Sequence, residues 1–306
     1  MLKDLLQLEL IMVLLVLAGV WLRRRGTITD QGRDCLTDVL MTVILPCNIF
    51  LSFKTDADME TLQSFLVTIA ISVFVMLLVT VLGKALYRHK EEHQEKVLRY
   101  GLINSNALFI GLPVIQSLLG DAGVLQQSMY MIFVRMFCWS YGLSLYTGVK
   151  SDWKSSARRL MTNGCMIAAT LGLVMMLTGF RLPSFLDRTL GYASNCMMLI
   201  SMLLIGVVLS EMDFKQLLRA DVWGFTAVRL LLVPAVVLLA CRLFRVPYIV
   251  AATCTLLSGM PAASLTAVLA ARYHGDSELG ALLVTVSTIL SAVTIPLWFM
   301  ILQQPG

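Results

Sequence analysis

Apolar residues in this chain run in long blocks instead of alternating with polar ones. About 20 mostly apolar residues suffice to cross the hydrocarbon core of a bilayer as a helix. Ten such segments can be read, at 5–22, 34–53, 62–86, 97–119, 122–147, 157–179, 190–210, 220–243, 247–271 and 278–302. The polar stretches between them are short, the longest being 87–96 and 149–159, too short for a soluble domain. The pattern predicts an all-α membrane protein with ten transmembrane helices.

Charge orders these segments. Most Lys and Arg fall after the odd-numbered segments: Arg23, Arg24, Arg25 and Arg33, then Lys84, Arg88, Lys90, Lys96 and Arg99, then Lys150, Lys154, Arg158 and Arg159, then Lys215, Arg219 and Arg272. The opposite side carries Lys3, Lys54, Arg181, Arg188, Arg242 and Arg245. The positive-inside bias places the richer side in the cytoplasm and both termini outside, in the cytoplasmic (inner) membrane. Five segments per half, an odd number, makes the halves inverted: 1–150 is the first five-helix repeat and 151–306 the second. A shift of 155 residues lays Gly120-Asp121 on Gly275-Asp276 and Asp58 on Asp213, and brings two interrupted segments, the fourth and the ninth, into register. Inverted repeats with matching interrupted spans point to a transporter site at the repeat interface.

Composition agrees with life in lipid. Hydrophobic residues make up 58% and charged residues 14% of the 306, against about 45–50% and about 25% in soluble domains. Mean hydropathy is +0.81. The net charge of +5 sits in short loops, so it reads as topology and not as a nucleic-acid surface. The first apolar run ends in Arg23-Arg24-Arg25 without a small-residue cleavage site, which predicts a retained span. The seven cysteines form no CxxC pair and read as packing residues, so no metal and no cofactor is expected. His89 and His93 stand four apart in a loop dense with Lys and Glu, without a third ligand. Glu211 and Asp213 read as solvated helix ends. No GxSxG, P-loop or dinucleotide fingerprint occurs, so no enzyme is expected.

Candidate chemistry gathers in the interrupted segments. The fourth reads Asn104-Ser105-Asn106-Ala107-Leu108-Phe109-Ile110-Gly111-Leu112-Pro113. Amides are costly in hydrocarbon unless paired, and Gly111 and Pro113 weaken the helical ladder. The ninth reads Ser258-Gly259-Met260-Pro261-Ala262-Ala263-Ser264, where Pro261 cannot donate and Gly259 permits an unwound backbone. If both segments unwind, the positive ends of two second half-helices meet near the midplane and favour an anionic group. The competing reading is two proline kinks with Asn glue between helices. In the second segment Pro46 should bend the helix, and Asn48 either faces the centre or belongs to a kinked scaffold helix. Arg135, near the middle of the fifth segment, is either a counter-charge for substrate or one half of a structural pair. Arg229 reads as nearer the cytoplasmic end of the eighth segment, able to snorkel. Asp38 exchanges a proton if buried, or merely balances Arg33 if exposed.

These motifs, Asn106–Pro113, Gly259–Ser264 and the following Arg272-Tyr-His-Gly-Asp276, together with the ten-segment pattern, resemble the auxin efflux carrier family over essentially the whole chain. The likeness is to its short bacterial branch, whose members are described as malonate or malate permeases, and to the bile-acid symporter fold. The resemblance implies a scaffold of segments 1, 2, 6 and 7 and a transport domain of segments 3–5 and 8–10, with the fourth and ninth crossing at their breaks. It implies elevator-like motion and homodimers through the scaffold. It carries the crossover asparagine to Asn106 and the crossover proline to Pro261. Ser105 stands where the family often has a proline. A sodium site does not follow from these crossover residues.

The expectation is therefore a secondary active transporter for a small organic anion such as a carboxylate, working by alternating access and driven by a proton or the membrane potential. Its substrate-binding candidates are Asn104, Ser105, Asn106, Gly111, Pro113, Gly259, Pro261, Ser264, Asn48 and Arg135. A passive anion channel and a non-transporting sensor or assembly subunit are the competing functions. The lipid bilayer is the one partner common to all three.

Overall fold

The structure, a computed structural model, describes residues 2–54, 59–147, 164–210, 219–263 and 265–303. Asp58, Lys150, Lys154, Arg158, Arg159, Glu211, Asp213, Lys215 and Ser264 lie outside the described residues. Helix is the only extended regular structure among the described residues. In chain order the helices are α1 Leu2–Arg24, α2 Asp30–Ser52, α3 Met59–Tyr87, α4 Glu92–Ile103, α5 Ala107–Thr147, α6 Gly164–Thr178, α7 Ser184–Asn195, α8 Met197–Ser210, α9 Ala220–Leu243, α10 Tyr248–Ser258, α11 Leu265–Arg272 and α12 Ser277–Gln303. Among the described residues six stretches are long and apolar enough to cross a membrane: α2, α3, α5, α9, α12 and Ser184–Val207, which joins α7 to α8. The helices α6 and α10 are apolar but shorter.

Their outward surfaces are apolar too. Leu10, Leu14 and Leu17 on α1 and Leu66, Leu77 and Val81 on α3 are exposed. Water would make such faces aggregation-prone, whereas acyl chains solvate them at no cost.

Prolines recur inside the helices, and in three cases the backbone accommodates them in the same way. Pro46, Pro113 and Pro234 each occupy the second residue of an α-helical stretch preceded by five residues of π-helix, at Leu40–Ile44, Ala107–Gly111 and Val228–Leu232. A proline ring clashes with the carbonyl four residues back and offers it no N–H. The wider π turn moves that carbonyl aside and keeps the helix running. For Pro234 the stranded carbonyl is that of Leu230, and the Trp298 indole N–H donates to it at 2.8 Å. The π segment Cys138–Gly142 has no proline, and Pro296 sits in α12 without a π turn; nothing in the structure explains either.

The described residues fall into two compact units. The first gathers Met1–Leu62, Leu112–Ser128 and Met161–Met212; the second gathers Gln63–Gly111, Met129–Leu160 and Asp213–Gly306. Within the first, α1 lies against α8 at backbone contact. A Cβ on Gly19 would stand 2.2 Å from the Leu203 carbonyl oxygen, and one on Gly206 would stand 2.1 Å from that of Val16. Only glycine permits this approach, the usual packing device where no hydrophobic drive joins helices in lipid. The long helix α5 contributes to both units and is interrupted at Gly120, whose φ of 65° lies in the left-handed region.

Candidate functional site

The second unit contains a crossing of two broken helices. The path of α4 ends at Ile103, and Asn104 turns extended (φ −97°, ψ 94°). Helix resumes at Ala107. The path of α10 ends at Ser258 and resumes at Leu265. Asparagine competes for backbone hydrogen bonds and proline lacks an N–H, so neither stretch sustains a ladder of its own.

The backbone groups freed by the two breaks satisfy one another. Ser105 and Ala262 form an isolated antiparallel bridge. The Asn106 N–H donates to the Pro261 carbonyl at 2.7 Å, and the Ala263 N–H donates to the Asn104 carbonyl at 3.0 Å. The Ala262 N–H reaches the Ser287 hydroxyl of α12 at 3.1 Å. Buried non-helical backbone at membrane depth is tolerable only with such partners. Pro261 fits because it asks for no acceptor.

Arg229, from the π segment of α9, completes the crossing. It is 1% exposed. Its Nε donates to the Met260 carbonyl at 2.8 Å and its Nη1 to the Leu102 carbonyl at 2.5 Å. The Leu102 carbonyl lies in the last turn of α4 and the Met260 carbonyl two residues past the end of α10, both near negative helix ends, where a cation is stabilised. No carboxylate pairs with Arg229 among the described residues. The expectation that it snorkels is therefore wrong. Segment 220–243 has its middle only about two residues beyond Arg229, so residue counting alone marks it as central.

The other candidates are distributed unevenly. Asn106 is buried, and its carbonyl accepts from Ile110 and Gly111 at 3.3 and 3.1 Å. Asn104 is half-buried; its Nδ2 is out of reach of solvent and has no hydrogen-bond partner. The Cys138 thiol lies 3.8 Å from Asn104 Oδ1. Arg135 stands three residues before Cys138 on α5, half-buried, without an ion pair or hydrogen bond among the described residues. Gly111 packs on α10: a Cβ there would meet Leu257 at 3.2 Å and Met260 at 3.4 Å. Gly259 closes α10, bonding back to Thr255 and Leu256, both at 3.1 Å. Ser264 lies outside the described residues. Pro113 does not take part in the break; it sits inside the helix resumed after the π turn. Pro113 and Asn48 belong to the first unit, where both line a polar cavity.

Asp38 is exposed, as the charge-balancing reading requires. Arg33 stands 3.1 Å from Asp34 and 3.9 Å from Asp30. In the second unit the loop charges form a chain: Lys90 bonds Asp221, and Arg219 stands 3.9 Å from Asp221 and 3.7 Å from Asp276. Asp276 Oδ1 in turn accepts from the Leu279 N–H at 2.8 Å, capping α12. His93 faces Glu91 at 3.5 Å, and His89 accepts from Arg88. No group of three or more His, Cys, Asp or Glu side chains suited to a metal occurs among the described residues.

Sequence comparison places this geometry. The sequence model of the family described as "Membrane transport protein" matches residues 3–158 and 149–299. The chain belongs to this family of auxin-efflux-carrier-like transporters. An uncharacterized transporter of Methanocaldococcus jannaschii is 26% identical, with 96% of this chain and 97% of that protein covered. An uncharacterized transporter of Methanothermobacter thermautotrophicus is 27% identical over 95% of this chain and 96% of its own length. An uncharacterized transporter of Escherichia coli K12 is 21% identical over 94% of each chain. This membrane transport protein is thus a multi-pass integral membrane protein that resembles its relatives from end to end.

Proposed function

We propose that this membrane transport protein is a secondary carrier that moves a small organic anion, such as a carboxylate, across the cytoplasmic membrane by alternating access. The observation that carries the reading is the placement of Arg229. Four half-helix ends meet where the two broken paths cross. Arg229 places its positive charge beside the two negative C-terminal ends, bonding the last turn of α4 and the backbone just past α10. The two N-terminal ends, of α5 and α11, are each equivalent to roughly half a positive charge. That imbalance favours an anion. The amides of Asn104 and Asn106 supply neutral donors beside it, and Arg135 adds long-range positive potential.

The rest of the reading is architectural. Ten spans in two inverted five-helix repeats would hold both termini outside, and the helices of the second unit would carry substrate in an elevator-like step, driven by a proton or the membrane potential. Support comes from the Lys and Arg asymmetry of the loops and from two breaks in corresponding places.

The test is flux. Purified protein in proteoliposomes, given an imposed gradient, is expected to take up radiolabelled mono- or dicarboxylates with saturation and counterflow. Asn106→Ala should lower that flux at normal expression. Non-saturating currents would replace the carrier with a channel, and unchanged flux in Asn106→Ala would remove the crossing from the binding site.

A further inference from the structure

One face of α1 is an exposed apolar stripe that ends in arginines. Leu10, Leu14, Leu17 and Trp21 are each more than half exposed. Spaced four, three and four residues apart, they lie along one side of the helix. Gly19, in the close contact with α8, lies on the opposite side. At 1.5 Å per residue the stripe from Leu10 to Trp21 is about 16 Å long, close to the roughly 15 Å of hydrocarbon in one bilayer leaflet. Arg24 and Arg25 continue the same face three and four residues beyond Trp21, at the level where that leaflet's headgroups begin.

The charges at this end are unevenly answered. Arg23 pairs with Asp30, and Arg33 stands beside Asp34. Arg24 and Arg25 are exposed and have no carboxylate partner among the described residues. The carbonyls of the helix end do not engage them either. Gly26, with a left-handed φ of 74°, turns the chain so that the N–H groups of Arg25, Gly26, Thr27 and Ile28 donate to the carbonyls of Trp21, Leu22 and Arg23. Arg25 is nonetheless held in place, its guanidinium lying 4.6 Å from the centre of the Trp21 ring. A stacked guanidinium keeps its N–H edge free, and that edge matches two oxygens of a phosphate. Trp21 itself suits the boundary between acyl chains and headgroups.

We propose that this end of α1 binds an anionic phospholipid, with Arg24 and Arg25 on its phosphate and its acyl chains along Trp21, Leu17, Leu14 and Leu10. A zwitterionic lipid carries its own cation and gains less from two unpaired arginines. A second copy of this chain fits the stripe poorly. Symmetric pairing through α1 in one membrane would set Arg24 and Arg25 against the same arginines of the copy. The inference rests on α1 alone and does not depend on what the protein transports.

The test is fluorescence quenching of the full-length protein in vesicles of phosphatidylcholine and phosphatidylglycerol. Brominated acyl chains, which quench tryptophan on contact, are placed on one lipid and then on the other. The difference between wild type and Trp21→Phe isolates the Trp21 signal. Trp21 is expected to be quenched preferentially by brominated phosphatidylglycerol, by about fivefold or more, and the preference should fall with salt. Arg25→Gln leaves Arg23, Arg24 and Arg33 to set topology and is expected to lower the preference. The double change Arg24→Gln and Arg25→Gln should abolish it, and Arg24→Lys with Arg25→Lys should keep most of it. If the double Gln variant fails to insert, wild type and Arg25→Gln still decide. Equal quenching by the two lipids, or a preference unchanged in Arg25→Gln, would overturn the site. Quenching of Trp21 by neither lipid would mean that protein covers the stripe, and loss of the preference in millimolar inorganic phosphate would assign the arginines to a free anion; both overturn the lipid.

Discussion

Pro46 and Pro261 pose the same chemical problem in the two units and are answered in opposite ways. At Pro46 the helix widens into a π turn and continues, so the proline leaves the helical ladder on either side of it running. Polarity in that region is then a matter of side chains, and side chains can leave an acceptor open, as Asn48 does. At Pro261 the helix breaks. Its backbone groups are answered from elsewhere in the chain, by Asn106, Arg229 and Ser287. One solution bends a helix and leaves a cavity beside it. The other ends a helix and closes a lattice of main-chain bonds.

The comparison predicts that the crossing is brittle and the cavity tolerant. The largest effect should come from Arg229→Met, which strands two buried carbonyls that now accept from a charged donor. Such bonds contribute about 1.5–3 kcal/mol each, so a loss of about 3 kcal/mol or more is expected, seen as a sharp fall in Tm or in the yield of folded protein. Arg229→Lys should recover only part of it, because an ammonium does not span two carbonyls as a guanidinium fork does. A wild-type Tm in Arg229→Met would show the crossing to be held by something else.

Next comes Asn106→Ala, expected to lower flux about tenfold, equivalent to ~1.4 kcal/mol, with little change in Tm because its main-chain bonds survive. A matching loss of Tm would mean that the amide is structural. Ser287→Ala follows: the Ala262 N–H loses its acceptor, and about 1 kcal/mol of stability is expected to go. The smallest change should be Ser194→Ala in the cavity, about 0.5 kcal/mol or less, because Asn48 Nδ2 still has Gln116 Oε1 within 3.4 Å. Equal losses in Ser287→Ala and Ser194→Ala would erase the distinction between the two regions.

Much of the crossing is legible in one dimension. Asn104, Asn106, Gly259 and Pro261 are out of place in apolar runs, and the structure brings 104–106 and 261–263 together. Two readings fail, and one pair of residues goes unmarked, for identifiable reasons. Pro113 looks like part of the break, but a π turn absorbs it, and a five-residue widening leaves no mark on hydropathy. Arg229 looks like a snorkelling side chain, yet its guanidinium turns inward to carbonyls 31 and 127 residues away. Gln116 and Ser194 pass as ordinary polar residues near segment ends, because what matters is that Asn48 lies between them.

The sequence by itself determines that the chain is a helical membrane protein and where its helices cannot continue, because both follow from local properties: side-chain transfer into lipid and the missing N–H of proline. The tertiary structure decided which groups answer the broken backbone and which buried oxygen goes unanswered. Hydrogen bonding at membrane depth is obligatory but indifferent to distance along the chain, so the partners are chosen only when the helices pack.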